Sequence, residues 1–133
     1  MSMTSSALPS SHRRLFDAWL PAATCIFLGS LALYAINLGR APHPDELYHI
    51  LSARGLLEHG EPRIAEGLYT RVFAFTWLVG QMFALFGESL IAARLPSIVT
   101  MAILNTILFL WLRKQAGSLA AWLAVALFAL SPF

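Results

Sequence analysis

Pro44-Asp45-Glu46-Leu47-Tyr48 is the stretch of this chain whose residue types and spacing could do chemistry. Two adjacent carboxylates follow a proline, with His43 before them and His49 one helical turn beyond Asp45. A carboxylate at a membrane surface, facing away from lipid, can serve as a general base that takes a proton from an acceptor hydroxyl or amine. The same acids have a plainer use: in the first turn of a helix they complement its dipole, worth about 0.3–1 kcal/mol. His49 could hydrogen-bond Asp45 or share a divalent metal ion with it. No His-x-x-x-His pair or other strong ligand spacing accompanies it, so solvated histidines are the simpler reading.

These residues lie in a polar loop, 40–71, that is dense in ionisable groups. Asp45, Glu46, Glu58, Glu61 and Glu66 are five of the chain's 7 acids, and His43, His49 and His59 three of its 4 histidines. Within the loop the pattern predicts a helix over about 45–58. Pro44 suits the first helical position, Asp45 and Glu46 fall in the first turn, and Gly60 can end the helix. Helical spacing puts Leu47, Ile50, Leu51 and Leu57 on one face and Asp45, His49 and Ser52 on the other, the pattern of a helix lying along a membrane interface. Residues 60–67, with Pro62, read as an irregular connector.

The elements that must hold this loop are apolar. The chain is 58% hydrophobic and only 12% charged, with a mean hydropathy of +0.67. That is too little polar surface to cover a soluble globule of 133 residues. About 20 apolar residues cross a hydrocarbon core of roughly 30 Å, and spans are expected at about 19–38, 70–87, 92–112 and 117–133. The predicted fold class is therefore all-α, a polytopic transmembrane bundle of about four spans. Residues 1–18 read as a disordered cytoplasmic tail, and 19–133 as the N-terminal part of a larger membrane domain whose C-terminal part is missing. Pro21 is expected in the first turn of span one, where its missing N–H matters little. Asn105 and Thr106 are expected to hydrogen-bond between helices. Cys25 has no partner cysteine, and no basic run suggests nucleic acid. With the N-terminus cytoplasmic, Arg13, Arg14 and Arg94 lie inside and Arg40, Arg54, Arg63, Arg71, Arg113 and Lys114 outside. That count opposes the usual excess of basic residues on the cytoplasmic side.

The order of features carries a resemblance. A first span, Asp45-Glu46 opening an interfacial helix, a glycine-containing connector, then Phe86-Gly87-Glu88-Ser89 and Ala92-Ala93-Arg94-Leu95-Pro96-Ser97 opening a later span: this resembles the N-terminal part of GT-C glycosyltransferases. Within them it is most similar to the branch of protein O-mannosyltransferases and the lipid A aminoarabinose transferase. The resemblance implies inverting transfer of a sugar from a polyprenyl-phosphate carrier. Asp45 would be the catalytic base and Glu46 its acidic neighbour, with Arg71 and Arg94 as phosphate-binding candidates. It further implies an integral protein of the bacterial inner membrane with loop 40–71 on the non-cytoplasmic side, membrane lipid as partner, and a possible divalent cation with His49 as a candidate ligand. Many relatives enter the second span through an acid, a lysine and two prolines; here the residues are Tyr69-Thr70-Arg71-Val72-Phe73. Thr70 removes one potential metal ligand, and Arg71 stands where the basic residue would, able to grip a phosphate bidentately. The alternative reading is a transporter or a non-catalytic membrane scaffold. Transporters carry charged or broken spans near mid-membrane, whereas here the charges concentrate in the loop.

Overall fold

The computed structural model describes residues 10–36 and 38–130, with side chains from Trp19 onward. Five helices and one short hairpin follow in order: α1 Ser10–Ala35, α2 Pro44–His59, β1 Arg63–Ile64, β2 Gly67–Leu68, α3 Phe73–Phe86, α4 Leu90–Ala116 and α5 Ser118–Leu130. The chain divides into two compact units, residues 31–101 and residues 1–30 with 102–133. Among the described residues one helix, α4, is long and apolar enough to cross a membrane. Trp19–Ala35, Phe73–Phe86 and Ser118–Leu130 are apolar but shorter; the 14 residues of α3 rise only about 21 Å at 1.5 Å per residue.

In the unit formed by residues 31–101, α2 starts where its sequence signals put it. His43 caps it in an extended conformation, Pro44 begins it, and Asp45 and Glu46 occupy the first turn. Gly60 ends it in the left-handed conformation, φ 76°, its N–H donating to the Leu56 carbonyl at 3.0 Å. The face through which α2 packs on the rest of the unit is not the one that carries Leu47 and Leu57. Leu47 and Leu57 remain exposed, whereas Ser52, Ala53 and Gly55 are buried. His49 and Ser52, on the face opposite those leucines as the spacing predicts, turn toward α3 and the segment after the hairpin. The reason is size. Small side chains let backbones approach closely, and a Cβ on Gly55 would sit 2.5 Å from the Arg63 carbonyl oxygen. A periodicity that counts only large apolar residues passes over such a face.

Against it α3 presents Thr76, Val79, Gly80 and Phe83, one stripe at helical spacing, all buried. Ala53, Val79, Phe83, Ala92 and Ala93 form the core, with Ile50, Phe75 and Met82 packed around it. The connector expected to be irregular instead pairs as an antiparallel hairpin, Arg63 opposite Leu68 and Ile64 opposite Gly67. The Tyr69 N–H extends it by donating to the Pro62 carbonyl at 2.7 Å. α3 begins at Phe73, later than expected, because Val72 adopts φ 47° and ψ 48°. This conformation is an outlier for a β-branched residue and costs about 1–3 kcal/mol. Ser89 caps α4, its hydroxyl accepting from the Ala92 N–H at 3.1 Å. Arg54 on α2 pairs with Glu88 just before that cap.

In the second unit, Gly117 at φ 88° makes the turn between α4 and α5. Ile26, Phe109, Ala121 and Val125 form its core. Asn105 makes the expected interhelical bond, its Nδ2 donating to the Ser30 hydroxyl at 3.0 Å. Thr106 does not: its hydroxyl donates to the Ala102 carbonyl of its own helix at 2.8 Å, the back-bonding open to any helical threonine. Pro21 lies in the interior of α1 rather than its first turn, because the helix begins at Ser10, inside the stretch expected to be a disordered tail. Residues 1–9 and 131–133 lie outside the described residues.

Candidate functional site

Adjacent helical residues diverge by roughly 100° around the axis, and this separates Asp45 from Glu46. Glu46 turns toward α4, where Arg94 meets it in a bidentate pair: Nε donates to Oε1 at 2.6 Å and Nη2 to Oε2 at 2.8 Å. The remaining terminal nitrogen, Nη1, donates to the Leu38 carbonyl at 2.6 Å. One guanidinium thereby ties together the chain leaving α1, the first turn of α2 and the first turns of α4. The Glu46 and Arg94 side chains are 27% and 15% exposed, shielded enough for the pair to matter. The hydrogen bond from Arg94 is the main cause that holds the Glu46 carboxyl below its ordinary range, with partial burial opposing it and the Arg94 charge adding to it.

Asp45 faces the other way, with its side chain 86% exposed. It stands at the edge of an open groove of about 330 Å³ whose lining is Asp45, Tyr48, Ile64, Glu66, Tyr69 and Arg71. Asp45 and Tyr48 come from one face of α2; the other four come from the hairpin and the segment leading to α3. Tyr48 and Tyr69 stack with centroids 5.6 Å apart and planes 18° from parallel.

His49 buttresses this wall from behind. One ring nitrogen shares a 2.9 Å hydrogen bond with the Thr76 hydroxyl, and the ring stands edge-on to Tyr69 at 5.3 Å and Phe75 at 5.1 Å. The Ser52 hydroxyl donates to the Tyr69 carbonyl at 3.3 Å. Burial lowers the His49 pKa, with the Asp45 charge pulling the other way. The fold thus favours the neutral ring, so the stability it contributes is complete above the ordinary value of 6.5 and is lost as pH falls through the depressed folded value. Stability of the wild type should therefore drop between pH 7.5 and pH 5.5 by more than that of His49→Asn, as measured by thermal unfolding in detergent. Equal drops would remove His49 as the titrating group.

Of the residues expected to act, Asp45 and Arg71 are brought to one groove, while Glu46 and Arg94 are brought to each other. His49 lies behind the wall, engaged with Thr76. Among the described residues no group of three or more His, Cys, Asp or Glu side chains is gathered where a metal ion could be held. Tyr48, Ile64, Glu66 and Tyr69 were not assigned a role from sequence, although Tyr48 lies in the acidic motif itself. Tyr48 could have been, since it follows Asp45 at i+3 on the same helix face; the other three depend on the hairpin. No family model, no curated protein and no solved structure matches this chain.

Proposed function

We propose that this chain belongs to a membrane glycosyltransferase that moves a sugar from a polyprenyl-phosphate carrier to a lipid, glycan or protein acceptor, inverting the anomeric carbon. The observation that carries the reading is the division of labour within the acidic pair. Glu46 is held by Arg94, while Asp45 stands exposed in a groove that also holds Arg71. Asp45 takes the proton of the acceptor hydroxyl or amine. The acceptor atom bonds to the anomeric carbon as the bond from that carbon to the phosphate oxygen breaks, and polyprenyl phosphate leaves with the electron pair. Arg71 offsets the charge that gathers on the departing phosphate. Asp45 and Glu66 are the carboxylates in the groove, and a divalent cation held between them and the carrier phosphate would share that task with Arg71.

On this reading α1, α3, α4 and α5 are the membrane spans, the shorter ones accommodated by local thinning of the bilayer. The exposed apolar side chains along them, among them Leu85, Ile107, Leu119 and Leu127, face lipid. α2 lies at the non-cytoplasmic surface of a bacterial plasma membrane with Leu47 and Leu57 toward the acyl chains. Cysteine labelling tests the placement. With Cys25 replaced by alanine and Asp45→Cys introduced, an impermeant thiol reagent should label intact cells from the non-cytoplasmic side. Labelling confined to inverted vesicles would sink the reading.

A further inference from the structure

The groove beside Asp45 carries three kinds of chemistry, and together they restrict what it can hold. Asp45 and Glu66 supply carboxylates, which when ionised accept hydrogen bonds and donate none. Tyr48 and Tyr69 supply a stacked aromatic wall, whose face suits the C–H side of a ligand, as well as two phenolic hydroxyls. Arg71 supplies a guanidinium fork suited to a phosphate. Two carboxylates against one guanidinium disfavour a polyanion. A plain acyl chain would leave all of the polar groups unused. A hydroxyl-rich ring bearing a single phosphate fits: its hydroxyls donate to Glu66, its C–H face lies on tyrosine, its phosphate meets Arg71, and Asp45 stays available to the acceptor.

We propose that Glu66 and the Tyr48–Tyr69 stack form the sugar-ring subsite of this groove, with the ligand a glycosyl phosphate whose phosphate lies at Arg71. The proposal rests on the glycosyltransferase reading and adds to it the residues that recognise the sugar. Glu66 reaches the groove because it occupies the turn between β1 and β2, just ahead of Gly67, at φ 127°. The wall is built in advance of any ligand. His49 holds the Tyr69 ring edge-on and Ser52 holds the Tyr69 carbonyl, so little ordering is left to accompany binding. Glu66 is exposed and makes none of the contacts that support the fold, so its replacement tests recognition rather than folding.

Binding measurements on the full reading frame that encodes this chain, in detergent, decide the matter. The probes are a polyprenyl phosphate bearing mannose, glucose or arabinose, and the same polyprenyl phosphate without sugar. The wild type should bind at least one sugar-bearing probe more tightly than the bare one. Glu66→Gln should weaken that probe by about tenfold, the loss expected for a hydrogen bond to a charged acceptor, and leave the bare probe unchanged. Tyr48→Leu should do the same, whereas Tyr48→Phe, which keeps the stack, should lose less. Arg71→Gln should weaken both probes alike. If the wild type binds bare and sugar-bearing probes equally, or if Glu66→Gln weakens both equally or neither, the subsite is overturned while the role of Asp45 stands. If it binds neither probe, the glycosyltransferase reading falls with it.

Discussion

Under the proposed glycosyl transfer, Asp45→Asn is expected to lower sugar transfer by about 10²–10⁴-fold, the usual contribution of a general base, with the abundance of the protein unchanged. Asparagine keeps the shape of the side chain and removes only its ability to take a proton. The fold has little to lose, because the Asp45 side chain is 86% exposed and its ring partner His43 is equally at the surface, 3.7 Å away. What the substitution forfeits structurally is the dipole interaction at the start of α2, about 0.3–1 kcal/mol. Glu46 cannot take over the reaction. Both of its oxygens accept from Arg94, an interaction that keeps it ionised and directs it away from the groove. Transfer measured from a labelled polyprenyl-phosphate sugar, with membrane abundance measured in parallel, gives the result; unimpaired turnover in Asp45→Asn would exclude that residue from the mechanism.

The second large effect belongs to the Arg94 clamp, and it is one of stability. Arg94→Leu leaves the part-buried Glu46 carboxylate without its bidentate partner and the Leu38 carbonyl without its donor. Losing charge-assisted hydrogen bonds in a part-buried pair costs about 1.5–3 kcal/mol, less than in a fully buried one. Glu46→Leu with Arg94→Leu together should recover part of it, since no charge is then stranded. The first turn of α2 carries Asp45 next to Glu46, so a small displacement there should also depress transfer in Arg94→Leu, on the order of 10²-fold. Arg94 acts on Asp45 through Glu46 and the Leu38 carbonyl ahead of α2, which makes it a positioning residue: kcat should fall while KM for the carrier changes little. Because Arg94 holds the Glu46 carboxyl below its ordinary value of 4.5, the stability from the pair is complete above that value and is lost as pH falls through the folded one. Thermal unfolding of the single and double variants in detergent checks these statements. Arg94→Leu as stable as the wild type would show that the clamp contributes nothing.

The features read correctly from sequence are those that depend on neighbours along the chain. The limits of α2 follow from Pro44, the first-turn acids and Gly60, each of which acts within one helical turn of itself. The break at residues 87–89 between two expected spans is local in the same sense, and Asp45 stood out because an acidic pair after a proline is a local signal. Asn105 was legible because a polar amide in an apolar run has few ways to be satisfied other than across helices.

Tertiary structure alone decided which way each side chain faces. Ser52, Ala53 and Gly55 carry no hydrophobic signal, yet their small size is what lets α2 approach β1 and α3, and this sets the rotation of the helix. That rotation sends Glu46 to Arg94, 48 residues away, and Asp45 to the groove. The hairpin depends on backbone pairing that no periodicity announces, and it delivers Glu66 and Tyr69 opposite Tyr48. The sequence by itself determined that an acidic pair opens a helix between apolar segments. Only the packing of small residues and a single guanidinium decided which acid is left available, because helix rotation is set by contacts between segments far apart in the chain.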